Sequence, residues 1–165
     1  MLTTKLSETE ERFRADPASA RSTPKVTASL VNGRARLSAG PFNWDADLPT
    51  TLGGENLAPS PTAYLLGALA GCAVAFLANT LAPQFDVEID DVTATATAAS
   101  DMRGLLGIDG VAPDLGDLAL DIQVGSRSPG DRVDAMLDAW RVRCPIYLAL
   151  LKPSEIALTT GDSVR

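Results

Sequence analysis

The chain has 165 residues, 45% of them hydrophobic, with 14 basic against 21 acidic side chains and no histidine. That length fits one domain able to build its own core, and a net charge of −7 argues against phosphate backbones or anionic lipid, so neither nucleic acid nor membrane is expected as a partner. Without histidine a triad with an imidazole base is excluded, and a zinc site would need both cysteines plus carboxylates, so neither metal nor cofactor is expected.

Residues 1–17 mix Lys5, Arg12 and Arg14 with four acidic side chains and hold no apolar stretch of signal-peptide length. The expectation is a cytoplasmic protein with an N-terminal extension, 1–24, ahead of a single domain, 25–165. Ser7 as a cap with Glu10 three residues on, beside Leu6 and Phe13, predicts a short helix in the extension. Asn32-Gly33 is the strongest two-residue hairpin signal. Closing it sets Leu30 opposite Ala35 and Ala28 opposite Leu37, with Arg34 and Arg36 on the other face. There they form a solvated face unless a second chain covers them, in which case they can bind an oxyanion or lower a thiol pKa.

The Gly53-Gly54 to Pro59 stretch cannot be helical, and Ser60 then caps a helix with Pro61 in its first position. From Ala63 to Ala82 twenty residues carry no charge, the length of a membrane span, and Ala63, Gly67, Gly71 and Ala75 make a ladder of small residues. No lysine or arginine lies between Arg36 and Arg103, so the flanking anchors of a span are missing. The expectation is a core helix buried on nearly every side, its small face open to a second helix, and stopped by Pro83. Cys72 shares a face with Leu65, Ala68, Leu69, Phe76 and Asn79. It is either an inert buried thiol or one half of a redox pair.

Phe85, Val87 and Ile89 alternate, the phase switches at Asp90-Asp91, and Val92, Ala94, Ala96 and Ala98 alternate after it, which predicts one long strand with a bulge. Residues 101–113 read as a glycine-rich loop carrying Arg103. A further strand, with Leu118, Leu120, Ile122 and Val124 on one face, ends at Ser128-Pro129-Gly130. A second helix from about Asp131 places Val133, Met136, Leu137, Trp140 and Cys144 on one stripe and must kink or restart at Pro145. On a restart Cys144 is the N-cap, where the helix dipole, Arg141 and Arg143 lower a thiol pKa from its ordinary value near 8.5. Glu155 to Thr160 is predicted as a closing strand. Two cysteines are too few for a disulfide framework, so any joint role is redox chemistry.

Gly53-Gly54-Glu55, Pro59-Ser60-Pro61, Ala70-Gly71-Cys72, Asp101-Met102-Arg103-Gly104 and Arg143-Cys144-Pro145-Ile146 stand in an order and spacing, from Val26 to Leu158, that resembles the osmotically inducible protein C and organic hydroperoxide resistance family (OsmC/Ohr). The resemblance implies an α+β fold in which two curved antiparallel sheets wrap around central helices in an intertwined homodimer, with sites at the subunit interface. It also implies a thiol peroxidase for organic hydroperoxides, acting in oxidative stress defence. In that cycle Cys72 attacks the peroxide and becomes a sulfenic acid, Cys144 condenses with it to a disulfide, and an external dithiol such as a lipoylated protein reduces the bond. Peroxidatic members carry a glutamate one turn into the first helix to orient an arginine. Here Thr62 and Ala63 stand at those positions. Glu55 is an alternative acid and Arg34, Arg36, Arg103 and Arg143 are alternative cations for activating the thiolate, among which the sequence does not choose. The competing reading is a non-catalytic dimer that keeps an apolar pocket for a small ligand.

Overall fold

The structure is a computed structural model and describes residues 2–152 and 154–161. Helix α1 (Leu2–Ala15) and a short 3-10 turn (Pro17–Ala20) precede a three-stranded antiparallel sheet, β1 (Thr27–Val31), β2 (Arg34–Ala39) and β3 (Phe42–Ala46). The long helix α2 (Pro61–Phe76) runs through a π-helical turn (Leu77–Leu81) into α3 (Ala82–Phe85). The strands β4 (Ile89–Ala99) and β5 (Gly116–Ser126) form a second antiparallel sheet, with the one-turn helix α4 (Met102–Leu105) in the loop between them. Helices α5 (Gly130–Arg143) and α6 (Pro145–Leu151) follow. This is the α+β architecture with antiparallel sheets that the family resemblance implies.

Turn chemistry sets the first sheet. Asn32 and Gly33 both take positive φ, 50° and 77°, as a tight hairpin turn matching the strand twist requires. The register follows, with Leu30 opposite Ala35 and Ala28 opposite Leu37. Strand β3, which the alternation did not announce, pairs with β2 and sets Leu37 opposite Trp44. The Tyr64 hydroxyl, one turn into α2, donates to the Asp45 carbonyl at 2.6 Å and ties this sheet to the long helix.

The core lies between the long helix, β4–β5 and α5. Ala73, Leu77, Leu81, Met136, Trp140 and Cys144 are buried there, and Val92, Ala94, Leu120, Ile122 and Val124 close it from the sheet. The bulge falls where the phase switch predicts it, between Ile89 and Asp91. Ser60 caps α2 by accepting the Ala63 N–H at 3.2 Å, a contact that stabilises such a helix by about 1 kcal/mol.

Several expectations are corrected. Pro83 does not stop the helix. In a regular helix its ring would meet the carbonyl four residues back, but here the wide turn lies just before it, with the Ala82 N–H bonded to the Leu77 carbonyl five residues back. The helical path then carries Phe85 out of the predicted strand, and Asp86, at φ 51°, ends it in the left-handed region, so β4 begins only at Ile89. The N-terminal helix starts at Leu2, with Ser7 inside it and not at its cap. The loop over 101–113 contains α4. The long helix is not buried on nearly every side: within α2 only Leu69 and Ala73 are fully buried, and 28% of the most apolar window of Pro61–Phe85 is covered. That run has the length and hydropathy to cross a membrane, by composition alone. Finally, residues 155–160, expected as a closing strand, form none. Ile156 and Leu158 are 91% and 85% exposed, because an extended segment becomes a strand only beside another one, and among the described residues none pairs with it.

Candidate thiol redox site

The two cysteines, 72 residues apart in sequence, meet. Cys144 is fully buried, Cys72 partly so, and their Sγ atoms lie 3.2 Å apart with both thiols free. Cys72 reaches this point from three turns inside α2. Cys144 reaches it because Pro145 forces the residue before it out of helical geometry. At φ −68° and ψ 113° Cys144 ends α5 and begins α6, donating its N–H to the Trp140 carbonyl at 2.9 Å and accepting from the Leu148 N–H at 3.0 Å. The predicted restart and N-cap position are thus found, but the Cys144 sulfur makes no capping bond. The backbone N–H of Ile146, in the first turn of α6, acts instead on Cys72.

The electrostatics of the single chain oppose ionisation. Burial pushes the Cys72 thiol up from 9.0 to about 11, and the neighbouring Cys144 sulfur pushes in the same direction, since two thiolates in contact cannot both be charged; the Ile146 N–H pulls down. No arginine is among the groups acting on Cys72. The candidate cations lie elsewhere in the chain. Arg34 pairs with Glu55 at 3.0 Å, and Arg36 makes a two-pronged pair with Asp45. Arg103 forks onto Asp101, at 2.6 Å for the shortest contact. Arg143, next to Cys144 in sequence, donates to the Gln84 side-chain carbonyl at 3.2 Å, and Gln84 in turn donates to Glu10 of α1 at 2.7 Å. Of the residues named from sequence, the chain therefore unites the two sulfurs with each other and Arg34 with Glu55, and leaves the two pairs separate. Thr62 and Ala63 sit exposed in the first turn of α2.

An apolar cavity of about 120 Å³ is lined by Leu69, Leu118, Leu120, Tyr147, Leu150 and Leu151, with neither cysteine among its walls. Leu69 lies one turn before Cys72 on α2 and Tyr147 one turn after Cys144, so cavity and sulfur pair are built on the same elements. Among the described residues no group of three or more cysteine, aspartate or glutamate side chains is placed to hold a metal ion.

Asp47 escaped the sequence reading. It is the one buried charged side chain among the described residues, 6% exposed, and three backbone N–H groups, those of Leu57, Leu48 and Glu55, hold its carboxyl below the usual carboxylate range with help from Arg34. The legible signal was an aspartate at the mouth of a Pro/Gly turn, where such side chains bond to nearby backbone.

Comparison with known proteins identifies the family and the fold. The family described as OsmC-like protein matches residues 53–159. The fold is similar to that of an OsmC-like protein from Mycoplasma pneumoniae, at 20% identity, with 80% of this chain and 89% of that one covered and a TM-score of 0.66. It is also similar to an organic hydroperoxide resistance protein from Elizabethkingia anophelis, at 19% identity, 78% and 88% coverage and a TM-score of 0.57. A third likeness is to the organic hydroperoxide resistance protein OsmC from Legionella pneumophila, at 18% identity, 78% and 89% coverage and a TM-score of 0.54. At such identities these likenesses carry the fold alone. No curated protein matches the sequence.

Proposed function

The chain belongs to the OsmC-like protein family, and we propose that it is a thiol peroxidase reducing organic hydroperoxides in oxidative stress defence, working as a homodimer in the cytoplasm. The observation that carries this reading is the 3.2 Å contact between the Cys72 and Cys144 sulfurs. A disulfide needs about 2.05 Å between sulfurs, so closure takes only about 1 Å of movement. The names of two similar structures, organic hydroperoxide resistance proteins, agree with it.

In the proposed cycle the Cys72 thiolate attacks the terminal peroxide oxygen, the O–O bond breaks, and the alkoxide leaves and takes a proton to become the alcohol. Cys72 is now a sulfenic acid. The Cys144 sulfur, its proton released, attacks Cys72 Sγ, forms the S–S bond and expels hydroxide, which is protonated to water. An external dithiol, such as a lipoylated protein, returns two electrons and restores both thiols. The apolar cavity beside Leu69 and Tyr147 favours an alkyl or aryl hydroperoxide over hydrogen peroxide, because it rewards burial of carbon.

A thiol held near 11 by its own chain is protonated at neutral pH, so the cycle needs a cation from outside that chain. Arg34 is our candidate, delivered by the second copy and oriented by Glu55 in place of the missing first-turn glutamate. Its 3.0 Å pairing with Glu55 reproduces an arginine held by a glutamate from a different backbone position. The competing reading, a non-catalytic dimer binding a small apolar ligand, is favoured by the same raised thiol pKa and by Thr62 standing where an acid is expected.

The deciding experiment adds one equivalent of cumene hydroperoxide or hydrogen peroxide to reduced protein and follows free thiols and intact mass, with Cys72→Ser and Cys144→Ser in parallel. Rapid loss of both thiols to an intramolecular disulfide, faster with the organic peroxide and abolished by Cys72→Ser, is the expected result. In Cys144→Ser the sulfenic acid has no partner thiol and persists at one equivalent, going on to sulfinic acid only when a second equivalent of peroxide is added. Thiols that persist for hours in the wild type would reject the peroxidase.

A further inference from the structure

The Arg34–Glu55 contact joins a guanidinium whose side chain is 23% exposed to a carboxylate whose side chain is 66% exposed. Left to themselves, such surface pairs are loosely held and contribute little. Glu55, moreover, sits in the excursion between β3 and α2, residues 48–58, after its one 3-10 turn (Thr50–Leu52), where a single backbone bond, Asn56 N–H to the Leu48 carbonyl at 3.1 Å, crosses the loop. Asp47 adds the side-chain bonds that tie the Glu55 end to the start. Its Oδ1 accepts the Leu48 N–H at 2.8 Å, at the start of the excursion, and its Oδ2 accepts the N–H groups of Glu55 and Leu57 at 3.2 and 3.0 Å, near the end. Its own N–H donates to the Pro59 carbonyl at 3.2 Å, just before the α2 cap. The loop closes so tightly on this carboxylate that a Cβ at Gly54 would lie 2.0 Å from the Leu48 carbonyl oxygen and 2.7 Å from Asp47 Oδ1. Arg34 faces the same place: with Asp47, Gly54 and Pro61 it lines a cavity of about 300 Å³.

We infer that Asp47 is a positioning residue: its carboxylate fixes the backbone of the 48–58 loop so that the Glu55 carboxylate meets Arg34 and holds that guanidinium in the orientation the thiol chemistry uses. The inference rests on the proposed role of Arg34 as the thiolate's cation. A buried carboxylate satisfied by three N–H donors is worth more than its own hydrogen bonds, because removing it orphans the donors as well. Asp47→Asn keeps the shape but presents an amide N–H toward at least one of them. The loop then relaxes, Glu55 drifts from Arg34, and the guanidinium loses its direction while Arg34, Glu55 and both cysteines are all still present.

The test is a double-mutant cycle read on the rate of thiol loss with cumene hydroperoxide, in the full-length protein. Asp47→Asn and Glu55→Gln are each expected to slow that rate about tenfold, and the double variant to be no slower than either alone, because Asp47 acts only through Glu55. Effects that multiply in the double variant would overturn the inference, since a merely structural role weakens the protein independently of Glu55. Should Asp47→Asn not fold, the wild type answers by acid titration. The amide resonances of Glu55 and Leu57 and the Arg34 Nε–H resonance are expected to move together at one midpoint below the usual carboxylate range, where Asp47 titrates. An Arg34 resonance that stays still through that midpoint would overturn the inference. If wild-type thiols do not react with peroxide at all, the peroxidase reading falls, and the titration still decides whether Asp47 directs Arg34.

Discussion

Cys72 concentrates the difficulty of this molecule in one atom. Its own chain supplies the partner sulfur, the apolar cavity and one helpful N–H, yet leaves the thiol pushed up to about 11. If Arg34 of the second copy is what lowers it, then Arg34→Ala should return the thiol to the value its own chain dictates. Alkylation of Cys72 by iodoacetamide, followed peptide by peptide, should be fast near neutral pH in the wild type. In the variant it should climb only as the pH approaches 11. The same shift has a stability consequence with a fixed sign. A folded-state pKa above the unfolded value means that the folded chain holds the proton more tightly, so the stabilisation is present below pH 9 and is lost as pH rises toward 11. Reduced Arg34→Ala should therefore lose melting temperature across that window relative to the same variant carrying Cys72→Ser. Equal alkylation profiles in Arg34→Ala and wild type would remove Arg34 from the site.

At the scale of elements, the parts that the sequence made legible are those governed by local chemistry. The Asn32-Gly33 turn dictates the β1–β2 register residue by residue, Ser60-Pro61 dictates where α2 begins, and Pro145 dictates that Cys144 sits between two helices. The parts that were not legible depend on partners that local patterns do not name. Pro83 was misread because a π turn upstream relieves the clash. The segment 155–160 alternates like a strand, but among the described residues no strand pairs with it. Of the site, the helix faces show only that both cysteines point inward, and it is the family resemblance that implies they pair; the choice among arginines is not legible at all, because residue type says nothing of which carboxylate each one meets. Asp47 was hidden for a related reason: burial of a charge is a tertiary fact. The hairpin gives this distinction a measurable edge. Gly33 holds φ 77° with open space around its missing Cβ, so Gly33→Ala meets backbone strain and no clash, and should cost about 1 kcal/mol in thermal melts. Because Arg34 is the next residue, the substitution should also slow thiol oxidation. A variant as stable as the wild type would mean that the turn does not define the register.

At the scale of the whole molecule, the chain looks like half of something. One face of the long helix is uncovered, β1 is exposed along its whole length, and Ile156 and Leu158 extend into solvent. Gly67 and Gly71 make the argument sharpest. Each weakens a helix interior by about 1 kcal/mol relative to alanine, yet a Cβ at either would meet nothing within 4 Å in the chain itself. Among the described residues nothing asks for glycine there. A second helix packing closely against that face would, because small residues are what let two backbones approach. The double variant Gly67→Ala, Gly71→Ala should therefore divide two properties that usually move together. It should make the isolated helix more stable and the proposed dimer weaker, with sedimentation on dilution shifting from twice the 17.2 kDa chain mass toward the single chain at higher concentration than in the wild type. As the dimer separates, Cys72 should lose its fast reaction with cumene hydroperoxide, since the proposed cation leaves with the partner. A variant that stays dimeric and equally reactive would place the subunit contact on another face.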